Sequence, residues 1–390
     1  MPLFGSFSIG RWFGFKVRID YSWFLIFGLV VWTFSALTFP HQLRGLASTD
    51  YYAMGTAAAL LLFLSVLLHE LAHSVVARSR GVEVEGITLF IFGGVAQTKS
   101  EPQRPIDEFL ITVVGPLTSL ALAGLFWGAE IAADFYAWPA AVGAVAANIA
   151  ILNLVLALFN LVPGFPLDGG RIFRSLVWQI TGDLDRATRW ATLGGRVFGY
   201  ALMMYGFLLI FQGYFPNRGF SLNGAWMAII GWFLARVAAS SYHNFRMRAA
   251  LAGVPVSQVM ASHPVTMPGH ISVQEAIDQF FMRRPYSAYP VMENDRVVGL
   301  LSVERVSDVE AAERGSTPVS SVMRPLEEIP TADESATLDD ILPHMEPKTE
   351  GRALVVRDGQ VLGILTLGDV AQWLRRVQIL GTPREHVEDS

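Results

Sequence analysis

The stretch Leu61–Arg80, LLFLSVLLHELAHSVVARSR, sets His69, Glu70 and His73 inside an apolar run long enough to enter a membrane. A bilayer core about 30 Å thick takes roughly 20 apolar residues as a helix. An ionisable side chain at its centre costs about 2.5–3.5 kcal/mol on insertion scales. His69 and His73 lie four positions apart, which puts them one turn apart on one helical face. Two imidazoles so placed can share a zinc ion, and a glutamate beside them can act as general base. Zinc returns on the order of 10 kcal/mol in small model sites, enough to offset the burial. Buried histidines satisfied by neighbouring carbonyls are the alternative; the intramembrane setting weighs against it, because ionisable groups there mark functional sites.

Composition agrees with a membrane setting. Charged residues are 16% of the 390, against about a quarter in a globular chain, and 52% are hydrophobic. A net charge of -5 without a basic face excludes a nucleic-acid binder. No cysteine is present, so disulfides and thiolate metal sites are excluded and His, Asp and Glu remain as metal ligands.

Apolar blocks dominate from Tyr21 to Tyr242, and charges recur every few residues after Arg246. The expected organisation is a six-span domain over 1–245, a linker over 246–255, a soluble domain over 256–378 and a disordered tail over 379–390. The spans are Tyr21–Phe39, Tyr52–Arg78, Ile106–Ile131, Ala140–Val162, Gly195–Phe215 and Leu222–Ser240. The first block runs long and lacks a clean cleavage site, so it reads as a retained anchor. Arg11, Lys16, Arg18, Arg78, Arg80, Lys99, Arg104, Arg171, Arg174, Arg186, Arg189, Arg196, Arg246 and Arg248 fall on one side, and only Arg44 and Arg218 on the other. The positive-inside rule then makes both termini cytoplasmic, in a plasma-membrane protein.

Two histidines leave a protein ligand missing. In FNLVPGFPLDGGR, Phe159–Arg171, two prolines and three glycines follow an apolar helix and must break it. Irregular backbone at membrane depth is tolerated where it is buried in protein or lines a watery cavity. Asp168 sits in that break, and its carboxylate would complete a two-His, one-Asp set with a fourth position open to water. A plain Pro/Gly turn with Asp168 capping the next helix is the other reading.

Together HELAHS, LFIFGGVAQ and NLVPGFPLDGGR resemble the site-two protease family of intramembrane zinc metalloproteases, over roughly Phe4 to Tyr242. The resemblance implies that His69, His73 and Asp168 hold zinc, one ion per chain, and that Glu70 is the catalytic base. It implies that Asn160, which opens the NxxPxxPLDG pattern, sits near the substrate, a single-span membrane protein. Ala72 departs from the glycine that relatives often carry before the second histidine. No loop is long enough for an inserted PDZ domain, so the resemblance is to the branch without one.

EVEGITLFIFGGVAQTKS, 83–100, reads as one or two strands, with Gly93 and Gly94 allowing close backbone approach. An exposed edge there could add an unwound substrate as a strand; a plain connecting hairpin is the alternative.

The soluble half is duplicated. VMASHPVTM from Val259 recurs as VMRPLEEIP from Val322, SVQEAIDQFFM from Ser272 as TLDDILPHM from Thr337, and RVVGLLSVERV from Arg296 as QVLGILTLGDV from Gln360. A fixed period marks an internal repeat, with copies at 256–315 and 319–378. Each copy reads as strand, helix, two strands about a turn, and helix. The pair resembles tandem cystathionine-β-synthase (CBS) domains, which often bind adenine nucleotides. That resemblance implies a ribose-binding pair at Thr366 and Asp369; the first copy has Ser302 followed by Arg305, which lacks the acid. Dimerisation without a ligand is the alternative role. The fold class expected is an α-helical polytopic membrane protein with a C-terminal α/β CBS pair. Its expected function is proteolysis of transmembrane segments under CBS control, with a CBS-regulated transporter or channel as the alternative.

Overall fold

The computed structural model describes residues 5–91, 93–98, 102–214, 222–345 and 350–380. The tail from 381, Lys99 and the loop holding Arg218 lie outside the described residues. The chain divides into two units, Met1–His243 and Asn244–Ser390.

The first unit opens with strands β1 (Ser6–Trp12) and β2 (Phe15–Asp20). Helix α1 (Ser22–Thr33) continues through a π-helical turn at Phe34–Thr38 into α2 (Phe39–Gln42), and α3 (Ser48–Ser79) follows. After β3 (Val84–Phe90) and β4 (Gly93–Thr98) come α4 (Pro105–Phe135), α5 (Ala140–Asn160), α6 (Asp168–Thr181), α7 (Leu184–Tyr214) and α8 (Leu222–Leu251).

Six helical stretches are long and apolar enough to cross a membrane: Ser22–Gln42, Ser48–Ser79, Pro105–Phe135, Ala140–Asn160, Leu184–Phe211 and Asn223–Leu251. The fifth starts at Leu184 rather than Gly195, and the sixth runs past Ser240 to Leu251. In both cases the hydropathy falls where Arg and polar residues enter, yet the backbone pattern that a helix needs is uninterrupted. The 246–255 stretch is therefore helical through Leu251.

The N-terminal arm and the 83–98 segment form one sheet, in the order β1-β2-β3-β4. β2 runs parallel to β3, with Lys16 opposite Gly86, and the other two pairs are antiparallel. Alternate residues of β2 and β3 (Phe15, Val17, Ile19, Ile87, Leu89) pack on Trp23, Phe63, Leu67 and Leu71. That contact seats the sheet against the turns of α3 that carry the histidines, and it leaves β4 as an edge.

Close glycine contacts hold the remaining helices. Gly199 and Gly206 on α7 face Gly224 and Gly231 on α8 at matching seven-residue intervals. A Cβ on Gly199 would lie 2.7 Å from the Ala235 nitrogen, and one on Gly224 would lie 2.7 Å from the Gly206 oxygen. Small residues let helix backbones approach in this way in membranes. Gly194 and Gly195 likewise pack on the Pro163–Phe165 backbone, while Gly169 and Gly170 pack on Leu161 and Gly164. The broken segment between α5 and α6 is thus wedged between helices, and the Phe165 N–H donates to the Ala191 carbonyl at 3.1 Å.

The second unit contains two four-stranded sheets. The first copy supplies β5 (Ala261–Ser262), β6 (Met267–Pro268), α9 (Val273–Ala276), β7 (Ala288–Glu293), β8 (Arg296–Ser302) and α10 (Val303–Ser307). After α11 (Val319–Val322), the second supplies β9 (Arg324–Pro325), β10 (Thr331–Ala332), α12 (Leu338–Ile341), β11 (Arg352–Arg357), β12 (Gln360–Thr366) and α13 (Leu367–Leu380). The sheet orders are β10-β11-β12-β5 and β6-β7-β8-β9, so each copy lends its first strand to the other's sheet. The central hairpins turn through positive-φ residues, Asn294 and Asp295 in one copy and Asp358 and Gly359 in the other, as tight two-residue hairpin loops require.

Candidate metal centre

On α3 the spacing of His69 and His73 turns both imidazoles to one side, with Nε2 atoms 3.2 Å apart. Asp168 is the first residue of α6, where the chain re-enters a helix after the break. Its Oδ2 lies 3.0 Å from His69 Nε2 and 3.3 Å from His73 Nε2. The far side of each ring is fixed by α4. His73 Nδ1–H donates to the Ile111 carbonyl at 2.7 Å, and His69 Nδ1 lies 2.9 Å from the Ser119 hydroxyl. The Ile111 carbonyl holds the proton of His73 on Nδ1 and leaves its Nε2 lone pair towards Asp168, and His69 presents Nε2 in the same way when its Nδ1–H donates to Ser119.

Three such atoms facing one another suit a cation between them. Tetrahedral zinc bonds of 2.0–2.1 Å place neighbouring ligand atoms about 3.3 Å apart, matching the observed 3.0–3.3 Å separations. Among the described residues these three are the group of potential metal ligands within reach of one another. Gly115 of α4 supplies the room, since a Cβ there would overlap His73 Nε2 and lie 2.8 Å from His69 Nε2. The residues fit the ion.

Glu70 points into a cavity of about 270 Å³, whose lining includes His73, Asp168, Arg171, Gly94, Val95 and Ala96. A Cβ on Gly94 would come within 2.5 Å of Glu70 Cγ, so β4 lies directly against the glutamate. Gly93 has φ +130°, a conformation that favours glycine, and open space beside it. The fold therefore gathers His69, His73, Asp168, Glu70 and Gly94. Asn160 closes α5, half-buried, and is not among the residues lining this cavity.

The sequence reading missed the contribution of α4. Ile111, Gly115 and Ser119 recur every four residues, which puts them on one face of α4 without setting them apart from ordinary packing residues.

In the second unit Asp369 Oδ2 accepts from the Thr366 amide at 2.9 Å and from its hydroxyl at 2.7 Å, capping α13. Both residues line a cavity of about 280 Å³ together with His263, Tyr286, Ala288 and Arg352. At the corresponding place in the first copy, Arg305 donates its amide to Ser302 Oγ at 3.4 Å and its guanidinium to the Val322 carbonyl at 3.3 Å.

Comparison with known proteins identifies the family of the first unit and the repeat of the second. The model of Peptidase family M50 matches residues 57–142 and 129–206, and that of the CBS domain matches 256–311 and 319–376. Rip3 of Mycobacterium tuberculosis is 37% identical over 366 residues, covering 93% of this chain and 91% of Rip3. The chain belongs to the M50, or site-2 protease, family of zinc metalloproteases. Zinc metalloprotease MJ0392 of Methanocaldococcus jannaschii is 28% identical, covering 84% of this chain and 86% of that protein. A solved site-2 protease from the same organism aligns with a TM-score of 0.41 at 24% identity, over 61% of this chain and 95% of its own. Membership of the M50 family makes the chain a multi-pass membrane enzyme and sets aside the transporter reading.

Proposed function

We propose that this M50 protease hydrolyses a peptide bond within a membrane-embedded segment of a single-span protein. The observation that carries the reading is the convergence of His69 Nε2, His73 Nε2 and Asp168 Oδ2 beside a cavity that also holds Glu70 and the edge of β4. His69, His73 and Asp168 would hold one zinc ion, which would supply Lewis acidity towards a water molecule and the scissile carbonyl. Glu70 takes a proton from the attacking water and delivers it to the leaving amine. The rings keep their orientation through the Ile111 carbonyl and the Ser119 hydroxyl.

A helical substrate hides its carbonyls in hydrogen bonds, so it must be unwound before attack. β4 ends its sheet and lines the cavity through Gly94, Val95, Ala96 and Thr98. An unwound segment can pair with that edge and present its carbonyl to the metal site beside Glu70. Asn160 would contact the substrate from the end of α5.

In this reading the basic loops face the cytoplasm, together with both termini and the CBS pair. A cysteine added at position 390 of this cysteine-free chain should escape an impermeant reagent until cells are lysed. In this reading the CBS pair binds an adenine nucleotide at Thr366 and Asp369 and adjusts the rate.

Glu70→Gln tests the central claim. Zinc content should stay at one per chain while cleavage of a co-expressed single-span substrate falls about 10²–10⁴-fold. Near-normal cleavage by this variant would refute the role of Glu70.

A further inference from the structure

Glu108, in the first turn of α4, is a carboxylate with no solvent exposure inside the membrane unit. The spacing Glu108, Ile111, Gly115, Ser119 places all four on one face of α4. The last three address the two histidines. Glu108 addresses α6, the helix that begins with the third candidate ligand.

Arg174 Nε donates to Glu108 Oε1 at 2.8 Å, and Arg174 Nη2 reaches the same oxygen. Arg171 Nε stands 3.5 Å from it. These arginines lie three and six positions after Asp168, on the same side of α6. The Arg174 guanidinium also sits over the Phe165 ring, 5.2 Å from its centroid. Phe165 belongs to the loop that leads into Asp168. One side chain therefore ties the loop before Asp168 and the helix after it to α4.

We propose that the buried Glu108–Arg174 pair is a positioning device, holding the segments on either side of Asp168 against α4 so that its carboxylate meets both imidazoles. Stability alone gives no reason for the pair, because apolar residues of similar volume often replace a buried ion pair at no cost. Direction does. Two donors of one guanidinium on the single oxygen Oε1 fix the distance between α4 and α6, whereas apolar surfaces can slide. A slip of one residue along α6 would move its start by about 1.5 Å and 100°, and a metal site tolerates only about 0.2 Å. Groups hydrogen-bonded directly to metal ligands change metal affinity about 10–100-fold, and that range sets the scale for this more remote pair.

The inference rests on the three-ligand reading above. Its test uses the full-length protein in detergent, with zinc affinity measured by chelator competition and the unfolding temperature measured on zinc-free samples. Glu108→Gln should weaken zinc affinity about 10–100-fold. The double variant Glu108→Met/Arg174→Met should unfold, without zinc, at or above the wild-type temperature and still bind zinc as weakly as the single variant. Wild-type affinity in the double variant would overturn the proposal and leave the pair as packing. Should Glu108→Gln fail to fold, the double variant alone decides. A wild-type protein that binds no zinc would overturn the metal-centre reading itself, and this inference with it.

Discussion

Gly115 of α4 faces His73 so closely that a Cβ on the glycine would occupy the space of the imidazole Nε2. Neither side can yield easily: the glycine is in mid-helix, and the His73 ring is held by the Ile111 carbonyl at 2.7 Å. Gly115→Ala should therefore abolish stoichiometric zinc, although alanine favours a helix interior by about 1 kcal/mol over glycine. Gly124 lies on the same helix with open space around it, so Gly124→Ala should keep its zinc. Metal analysis of the two variants checks this, and full zinc in Gly115→Ala would refute the fit.

Gly94→Ala separates the glutamate from the metal. The added methyl would lie 2.5 Å from Glu70 Cγ and 3.1 Å from Cδ, with Leu89 Cδ2 rather than a ligand atom as the next neighbour. Glu70 or β4 must move, and displacements of about 1 Å can cost about 10²-fold in rate. The expected result is at least a tenfold loss of cleavage with zinc unchanged. Loss of zinc in this variant would show that β4 supports the metal centre instead.

What was legible in the sequence is what stood out against hydropathy. His69, Glu70 and His73 are costly in an apolar helix, and Asp168 sits where prolines and glycines must break one, so their chemistry shows through. Ile111 acts through a backbone carbonyl, and Gly115 acts by lacking a side chain, so neither differs in sequence from ordinary packing in ITVVGPLTS. Glu108 could be seen as a charge but not as the partner of Arg174, 66 positions away. The start of α7 at Leu184 was hidden because Arg186 and Arg189 lower the local hydropathy without ending the helix. In the CBS pair the repeat revealed two copies. Nothing in strands as short as Ala261–Ser262 and Arg324–Pro325 reveals that they pair with the opposite copy's sheet.

The duplicated copies share a capping device with a pH signature. Glu275 accepts from the Ser272 amide and hydroxyl at 2.9 and 3.0 Å, and Asp340 accepts from those of Thr337 at 3.1 and 2.7 Å. Hydrogen bonds from the Ser272 amide and then its hydroxyl hold the Glu275 carboxyl below its usual range; for Asp340 the Thr337 hydroxyl leads, followed by the amide. A carboxyl lowered in the folded state adds stability above its unfolded value and loses it as pH falls through the folded one. The Glu275→Gln/Asp340→Asn variant should therefore melt below wild type at neutral pH, with the gap closing below about pH 4. A gap independent of pH would assign the effect to packing.

Both bonds that the Asp369 carboxylate accepts from Thr366 use Oδ2, so Oδ1 can accept from ribose hydroxyls. Arg305 occupies the matching position of the first copy and offers no carboxylate there. One adenine nucleotide per chain is the expected stoichiometry. Asp369→Ala would remove both the ribose contact and the helix cap, so its effect alone is ambiguous. Asp369→Asn keeps an oxygen for the cap and removes the charge, and it should weaken AMP and ATP binding in calorimetry while leaving the unfolding temperature near wild type. A nucleotide changes the cleavage rate only if it binds two arrangements of the protein with different affinity. Cleavage assays with and without nucleotide, on wild type and Asp369→Asn, should show a rate change that the variant loses at the same nucleotide concentration. If wild type binds nucleotide with no change in rate, the sensor role fails and dimerisation becomes the better account of the CBS pair.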